Sequence, residues 1–171
     1  LMSSKLKFKD KIKLVISDFD GIFTDGSIYI NDDEKFSSYK KINFSDVMGV
    51  SILLKNEINL VIISGEKSGA ISYLKNKFPK ILVYEGIRDK LTVLKNIIND
   101  FDINLDNAVY IGDDINDIEC LNYISNKVTV DTANYKVKNV QDIQIVEKDK
   151  NGFGAFRKVV DEVMLHNEKF C

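Results

Sequence analysis

Residues 13–26, KLVISDFDGIFTDG, decide the fold, because they join an apolar run to a group of carboxylates. The run at residues 14–17 is short and almost wholly apolar, which is typical of a parallel strand buried on both faces. Asp18 and Asp20 follow it at once, and Gly21 comes next. Two residues apart on an extended chain, the two side chains are expected to point the same way. Carboxylates this close repel one another, so the sequence predicts a bound cation or a site of chemistry here.

Length and composition exclude several classes of protein. The 171 residues suit one domain with a full-sized core, and the net charge of −2 without a basic run argues against a nucleic-acid partner. No apolar stretch approaches the roughly 20 residues of a membrane helix, and no signal-peptide pattern is present. Cys120 and Cys171 predict free thiols, which favours a cytoplasmic location. His166 is expected at the surface of a terminal helix.

Strand-like apolar runs alternate with helical patterns along the chain. The predicted strands are 14–17, 60–63, 81–84, 108–111 and 127–130, and the predicted helices are 46–55, 69–78, 90–101, 115–123 and 153–165. This alternation predicts a single α/β domain over residues 1–171, with a doubly wound parallel sheet covered by helices on both faces. One segment interrupts it: residues 27–39 have two short arms around Asn31-Asp32-Asp33 and predict a β-hairpin after the first strand. Ser45 and Asp46 then predict a helix N-cap.

Residues that could bind a ligand follow four of the predicted strands. They are Asp18 and Asp20, then Ser64 and Gly65, then Lys90 at the start of a helix, and finally Gly112, Asp113, Asp114 and Asp117. In an open α/β sheet the ligand site lies beyond the carboxyl ends of the strands, so these residues should meet at one edge. The sequence therefore predicts one polar site assembled from four separate segments.

A hard divalent cation would make such a group of carboxylates tolerable. Mg²⁺ prefers oxygen ligands and is usually held by one or two carboxylates together with a substrate phosphate. One carboxylate could then attack phosphorus and split a difficult hydrolysis into two easier steps. The Ser64 hydroxyl and the Gly65 amide could donate to phosphoryl oxygens, and Lys90 could supply a cation. Asp46 and Asp89, in contrast, are expected to cap helices or fill turns.

The order and content of four motifs resemble the haloacid dehalogenase-like phosphohydrolase superfamily, which has a Rossmann-like core. The motifs are DFDGIFTDG at 18–26, ISG at 63–65, Lys90, and GDDIND at 112–117. By this resemblance Asp18 is the nucleophile, and Asp20 is the general acid and base. Ser64 and Lys90 hold the phosphate.

The same resemblance implies a magnesium site. Asp18, Asp113 and the backbone carbonyl of Asp20 would ligate Mg²⁺. Asp114 and Asp117 would contact metal-bound water or orient the lysine. The implied reaction is hydrolysis of a phosphomonoester through an aspartyl phosphate.

The chain leaves no room for a cap domain, since only the hairpin separates the first strand from the first helix. This capless core, the hairpin, and NFSDVMGV at 43–50 resemble the 3-deoxy-ulosonate phosphate phosphatases. That group implies a homotetramer formed through the hairpin. It also implies that Arg157, in NGFGAFR at 151–157, reaches a neighbouring active site and binds substrate. The chain departs from the group's pattern at Asn151-Gly152, where a Gly pair is usual.

The motif SGEKS at 64–68 bears on the substrate. Eight-carbon octulosonate 8-phosphate phosphatases typically have Arg after the Gly, whereas Glu66 and Lys67 resemble the nine-carbon nonulosonate 9-phosphate enzymes. Glu66 could accept hydrogen bonds from sugar hydroxyls, and Lys67 could pair with the sugar carboxylate. The sequence thus favours a small sugar acid phosphate with nine carbons, and the eight-carbon 3-deoxy-manno-octulosonate 8-phosphate is the alternative.

Three other functions are compatible with parts of this pattern. A receiver-type phosphoacceptor also uses strand-end carboxylates, but its acidic pair follows the first strand, whereas here the pair comes late. A non-catalytic oligomerisation domain would have degenerate motifs, and all the required side chains are present here. Phosphoryl transfer between sugars would benefit from the cap that this chain lacks.

Overall fold

The computed structural model describes residues 5–171. Its strands are β1 (Leu14–Ser17), β2 (Tyr29–Ile30), β3 (Ser38–Tyr39), β4 (Asn59–Ile63), β5 (Leu82–Tyr84), β6 (Ala108–Ile111), β7 (Asn126–Val130) and β8 (Gln144–Val146). Its helices are α1 (Phe44–Lys55), α2 (Gly69–Lys77), α3 (Lys90–Asp100), α4 (Ile118–Tyr123), α5 (Tyr135–Lys138) and α6 (Ala155–Asn167). Short 3₁₀ turns lie at Leu105–Asn107, Ile115–Asp117 and Glu168–Phe170.

Six parallel strands form the main sheet, in the order β5-β4-β1-β6-β7-β8. The central strand β1 pairs with β4 on one side and β6 on the other, with Leu14 opposite both Asn59 and Ala108. All four residues of β1 are buried, as expected for a strand covered on both faces. The chain leaves β1 towards β4 and returns to β6 on the other side, so β1 and β6 border the switch point where such sheets bind ligands. The predicted doubly wound, Rossmann-like sheet is confirmed.

Helices cover the sheet in two packed groups. α1 packs against α6, and α3 packs against α4. Because crossovers between parallel strands are right-handed, the connections from β1 to β5 and those from β5 to β8 place their helices on opposite faces. The ring of Phe23, in the loop after β1, stacks on the ring of Phe156 in α6, with ring centroids 4.1 Å apart. This packing fixes the loop after β1 against the end of the chain.

Most predicted elements agree with the structure to within one or two residues. The sequence pattern does not predict β8 or α5, which have only three and four residues and are too short for a periodic signal. The helix predicted at 115–123 begins as a 3₁₀ turn before α4. The closing helix is Ala155–Asn167 rather than 153–165, because Gly152 and Gly154 have positive φ and keep the preceding loop out of the helix.

The predicted N-cap of α1 at Ser45 and Asp46 is wrong. Asn43 caps this helix, since its side chain accepts a hydrogen bond from the backbone N–H of Ser45 at 2.8 Å. Asp46 is buried and accepts hydrogen bonds from the backbone N–H groups of Gly154 and Arg157, at 3.0 and 2.9 Å. Asp46 lies in α1 but caps the first turn of α6. This agrees with the expectation that Asp46 caps a helix.

The expectation that His166 lies at the surface is also wrong, because the N-terminal segment folds back over α6. The His166 side chain is buried, and its Nε2 lies 3.0 Å from the backbone oxygen of Asp10. The ring of Phe8 packs edge-on against it, with centroids 5.2 Å apart. Asn167 completes this contact, since its side-chain amide accepts from the N–H of Ile12 at 2.9 Å and donates to its carbonyl at 2.8 Å.

The hairpin predicted at residues 27–39 is present. Tyr29 in β2 lies opposite Tyr39 in β3, and their rings stack with centroids 4.9 Å apart. Asp33 closes the turn, because its carboxylate accepts from the Ser37 hydroxyl at 2.7 Å and from the backbone N–H of Lys35 at 3.1 Å. Hydrogen bonds from Ser37 lower the pKa of Asp33. Within residues 5–171 the hairpin is the only addition to the main sheet and its helices, so these residues contain no cap domain.

Two further expectations concern the whole chain. No helix between residues 5 and 171 is long and apolar enough to cross a lipid bilayer. Cys120 is buried, Cys171 is exposed, and both are free thiols as predicted.

Candidate active site

Asp18 follows β1 directly and lies at the switch point of the sheet. Its backbone N–H donates to the carbonyl of Ile111 at 2.8 Å, which extends the pairing of β1 and β6. Its Oδ1 accepts from the backbone N–H of Phe19 at 2.7 Å and lies 2.9 Å from Nζ of Lys90. The carboxylate is buried, and burial followed by the charge of Asp117 raises the pKa of Asp18 well above its ordinary value. Asp18 thus binds the lysine in a setting with little access to water.

Lys90, the first residue of α3, is held by two carboxylates. Its Nζ lies 2.8 Å from Oδ1 of Asp117, which also accepts a hydrogen bond from the buried hydroxyl of Tyr110 at 2.7 Å. Oδ2 of Asp117 accepts from the backbone N–H groups of Asp113 and Asp114, at 3.1 and 3.2 Å. Burial alone would lower the pKa of Lys90, but the neighbouring carboxylates raise it overall. Asp117 is therefore placed to orient the lysine, one of its two predicted roles.

The loops around these carboxylates need glycine at two positions. Gly21 has a φ of +79°, and a β-carbon there would overlap Oδ2 of Asp113. A β-carbon on Gly112 would lie 2.5 Å from Cγ of Asp117. Each glycine backbone thus packs directly against a carboxylate of the site, which is why a side chain at either position would displace that carboxylate.

Three carboxylates are close enough to share one cation. One oxygen from each of Asp18, Asp113 and Asp117 lies within 4.8 Å of the others. If all three are ionised, the ammonium of Lys90 leaves two negative charges uncompensated. Burial, followed by the charge of Asp117, raises the pKa of Asp113 to about 7. A hard divalent cation would offset this charge and prefers such oxygen donors, so the residues present fit the predicted magnesium site.

Asp20 lies apart from these three carboxylates. The chain turns after β1, with the backbone N–H of Phe23 donating to the carbonyl of Phe19 at 2.9 Å. Asp20 therefore lies in a turn rather than on an extended strand, although both Asp18 and Asp20 line the smaller of the two cavities described below. Both carboxylate oxygens of Asp20 accept from Nζ of Lys40, at 2.7 and 2.8 Å. The role of the backbone carbonyl of Asp20 as a metal ligand stays a prediction.

Two adjoining cavities open at this edge of the sheet. The smaller, about 280 Å³, is lined by residues that include Asp18, Gly65, Asp113, Asp114 and Asn116. The larger, about 840 Å³, lies between the hairpin and the start of α2, and its lining includes Tyr39, Lys40, Phe44, Lys67 and Tyr73. Asp20, Gly26 and Glu66 line both cavities and so mark where they meet. A small polar site next to a larger, partly apolar one suits a phosphate attached to an organic group.

Ser64 follows β4 directly and is buried. Its hydroxyl oxygen accepts a hydrogen bond from the backbone N–H of Glu66 at 3.2 Å, and Ser64, unlike Gly65, does not line either cavity. The backbone of Ser64 is itself fixed, since its N–H donates to Tyr84 at 2.8 Å and its carbonyl accepts from Ile87 at 3.0 Å. The loop after β4 therefore brings Ser64 and Gly65 to the edge where the carboxylates lie.

Comparison with models of known families matches residues 24–156 to the haloacid dehalogenase-like hydrolases. The match spans more than half of the chain. The chain belongs to this family. The hydrolase is also similar to named relatives: the 3-deoxy-D-manno-octulosonate 8-phosphate phosphatase of Yersinia pestis is 28% identical over 158 residues, which are 92% of this chain and 82% of the relative.

Solved structures of similar proteins match the fold of the hydrolase. A 3-deoxy-D-manno-octulosonate 8-phosphate phosphatase from Moraxella catarrhalis, in complex with a magnesium ion, a phosphate ion and KDO, has a TM-score of 0.84 and 29% identity. That match covers 94% of this chain and 90% of the other. The cobalt-bound phosphatase of Haemophilus influenzae has a TM-score of 0.80 and 26% identity, over 93% and 91% of the two chains. These findings confirm the predicted superfamily, fold and phosphatase class.

Asp114 and Arg157, like Asp20, Glu66 and Lys67, lie outside the cluster of Asp18, Lys90, Asp113 and Asp117. Asp114 is exposed and caps the 3₁₀ turn that follows it, since its Oδ1 accepts from the N–H of Ile115 at 2.7 Å. Arg157 lies in the first turn of α6, where its Nε is 2.8 Å from Oδ1 of Asp161. Arg157 does not line either of the two cavities described above. Its role at a neighbouring active site stays a prediction.

Sequence reasoning misses three residues that the structure brings to the site of the hydrolase. Lys40 belongs to a lysine pair that is typical of a solvated surface, and no local pattern links it to Asp20. Tyr110 lies in the apolar run of β6, so its hydroxyl gives no separate signal. Asn116 stands within the GDDIND motif, which could have indicated its position at the smaller cavity.

Proposed function

We propose that this hydrolase is a Mg²⁺-dependent phosphatase that cleaves a phosphomonoester through an aspartyl phosphate on Asp18. One observation carries the proposal: the buried Asp18 carboxylate contacts Lys90 and lies within 4.8 Å of carboxylate oxygens of Asp113 and Asp117. A carboxylate placed beside a cation and a divalent-metal site is suited to attack on phosphorus. The similar Moraxella enzyme, which contains magnesium and phosphate, supports this assignment.

In the first step, the Asp18 carboxylate attacks phosphorus and displaces the oxygen of the sugar. The ammonium of Lys90 offsets charge on the phosphoryl group, and the Ser64 hydroxyl and the next backbone N–H donate to its oxygens. When bound, Mg²⁺ would be held by Asp18, Asp113 and the backbone carbonyl of Asp20, and it would supply further charge neutralisation and alignment. The product of this step is an aspartyl phosphate and a free sugar.

Asp20 moves the protons in this scheme. It enters the cycle protonated, gives that proton to the leaving sugar oxygen, and then takes one from the water that attacks the aspartyl phosphate, which restores its starting state. The second attack releases inorganic phosphate and restores the Asp18 carboxylate. Asp20 lines both cavities, which supports a place for it between the proposed phosphoryl site and the proposed space for the sugar.

We propose a 3-deoxy-ulosonic acid phosphate as the substrate, with 3-deoxy-D-manno-octulosonate 8-phosphate as the first candidate. The Yersinia and Moraxella relatives are named for that eight-carbon compound. A nine-carbon nonulosonate 9-phosphate is the second candidate. It is supported by Glu66 and Lys67, which line the larger cavity and resemble the nine-carbon enzymes.

Phosphate release from both sugar acid phosphates, with Mg²⁺ and with a chelator, tests these proposals. We expect metal-dependent release from the eight-carbon substrate, and loss of turnover in Asp18→Asn, which keeps the shape of the side chain but is a far weaker nucleophile. Asp102→Asn, an exposed change remote from the site, is the control and should keep wild-type turnover. A preference for the nine-carbon substrate would make the second candidate the substrate. No metal-dependent release from either would overturn the substrate class, and an active Asp18→Asn would overturn the nucleophile.

We also propose that the enzyme is a homotetramer formed through its hairpin, with Arg157 of one copy serving the site of another. The support is a group of exposed apolar side chains on the hairpin and the first half of α1: Ile28, Ile30, Phe36, Tyr39, Phe44 and Met48. Exposed apolar patches of this kind mark association surfaces, and the short strands β2 and β3 have unpaired edges. We further propose that residues 1–171 form one domain and that the enzyme works in the cytoplasm, which its free thiols favour.

A further inference from the structure

Lys40 joins the hairpin to the active site. It follows β3 directly, and its Nζ lies 2.7 and 2.8 Å from the two carboxylate oxygens of Asp20. The side chain of Lys40 is only 9% exposed, against 35% for Asp20, so the lysine is more shielded than in an ordinary surface pair. Within residues 5–171 the Asp20 carboxylate has no second hydrogen-bonding side chain. Lys40 is therefore what holds this carboxylate in place.

We propose that Lys40 is a positioning residue that sets the direction of the Asp20 carboxylate for proton transfer. This inference rests on the phosphatase activity proposed above. A short Asp side chain has two rotatable bonds, and contacts to both of its oxygens restrict both rotations. Asp20 lines both cavities where they meet, and in the proposed complex the oxygen between phosphorus and sugar lies at this junction.

The geometry also explains why the hairpin matters for catalysis. Lys40 is carried by the returning arm of the hairpin, whereas Asp20 lies in the turn after β1. The ion pair thus connects two segments separated by the whole hairpin, and both of its residues line the larger cavity. With Lys40 absent, the Asp20 carboxylate would be free to rotate away from the leaving oxygen, while Asp18 and Lys90 would keep their contact.

Substrates with two kinds of leaving group distinguish a positioning role of Lys40 from a purely structural one. A sugar or other alkyl oxygen needs a proton as it leaves, whereas nitrophenolate is stable enough to leave without one. The quantity to compare is kcat/KM, since it reports the steps up to formation of the aspartyl phosphate and does not include its hydrolysis. The substrates are 3-deoxy-D-manno-octulosonate 8-phosphate, glycerol 3-phosphate, which has no carboxylate, and p-nitrophenyl phosphate.

We expect Lys40→Met to lower kcat/KM at least about tenfold on both alkyl phosphates, since general acid catalysis contributes on the order of 10²–10⁴-fold. On p-nitrophenyl phosphate the loss should stay below about threefold, which also shows that the variant is folded. Lys40→Arg should restore most of the activity, because its guanidinium can contact both carboxylate oxygens. Lys41→Met is the matched control: Lys41 is the next residue, is exposed, and packs over the Phe153 ring at 5.6 Å, so all three activities should match wild type.

Three results would overturn the inference. An equal loss on the alkyl and nitrophenyl esters would mean that Lys40 supports the structure only. A loss confined to the sugar acid, seen as a raised KM, would mean that Lys40 binds the substrate carboxylate. Unchanged activity on all three would mean that Asp20 needs no support from Lys40. A wild-type protein with no turnover on any of the three esters would instead overturn the proposed function.

Discussion

The backbone of Gly21 packs directly against the carboxylate of Asp113, so that a β-carbon on Gly21 would overlap Oδ2 of Asp113. The two residues belong to the loops after β1 and β6, which are neighbouring strands. The close approach is possible because glycine has no side chain and accepts a φ of +79°. It brings two motifs that lie about ninety residues apart in the chain into one candidate metal site.

We expect Gly21→Ala to push the Asp113 carboxylate away and to weaken Mg²⁺ binding at least about tenfold, which titration calorimetry would measure. The left-handed backbone adds a cost on the order of 1–2 kcal/mol in the free energy of unfolding. Gly26→Ala is the matched control, since its φ is +88° but nothing lies within 4 Å of the added carbon. The control should lose similar stability and keep its metal affinity. Equal losses of affinity in both variants would contradict the packing argument.

Metal binding should strengthen as the pH rises from 6 to 8. In the metal-free protein the pKa of Asp113 is about 7, and a cation binds the ionised carboxylate, so binding must release a proton at lower pH. Below the pKa, affinity should rise by up to about tenfold per pH unit for one released proton. Calorimetry in two buffers of different ionisation enthalpy would count that proton. An affinity that does not change between pH 6 and 8 would contradict this prediction.

The raised pKa of Asp113 also makes the metal-free protein less stable at neutral pH than at pH 4. The ordinary pKa is 3.8, so between about pH 4 and pH 7 the folded protein holds a proton that the unfolded chain has lost. The contribution of Asp113 to stability therefore falls as the pH rises through that window. Asp113→Asn should reduce the fall in Tm between pH 4 and 7.5 in the presence of a chelator. Asp102→Asn, an exposed change at a residue whose charge does not contribute to the pKa shift of Asp113, should leave that fall unchanged.

The contacts of Lys90 and Tyr110 with Asp117 should differ sharply in their effect on stability. Lys90→Met leaves two buried carboxylates without their cation and should cost about 3–5 kcal/mol in the free energy of unfolding. Tyr110→Phe removes one hydrogen bond to Asp117 and should cost about 1 kcal/mol. Urea unfolding of the metal-free proteins measures both values. Similar costs for the two variants would show that the ammonium does not hold the cluster together.

Shortening the hairpin should weaken the proposed tetramer. Deletion of residues 32–35 removes the turn between β2 and β3 and should shift the mass in solution towards that of a monomer, as light scattering would show. Ile145→Ser serves as the control, because Ile145 is also an exposed apolar residue but lies on the edge strand β8. An unchanged mass after the deletion would exclude the hairpin as the interface.

Part of this protein could be predicted from its sequence. The strand β1 has the bounds that its apolar run indicates, and the carboxylates of Asp18 and Asp113 lie at the strand ends where the α/β alternation places them. These features depend on periodicity and on the rule that parallel strands end at one edge. Periodicity is a local signal, and the common edge follows from the topology alone. Neither requires knowledge of side-chain contacts.

Only the tertiary structure decided how the side chains pair. The sequence does not show that Lys40 binds Asp20, that Tyr110 supports Asp117, or that Asp46 caps a helix more than a hundred residues away. The burial of His166 likewise depends on where the N-terminal segment packs, not on the position of the residue near the end of the chain. The physical reason is that local propensity sets which elements form, whereas the partner of a buried polar group is set by whichever element packs over it and removes its water.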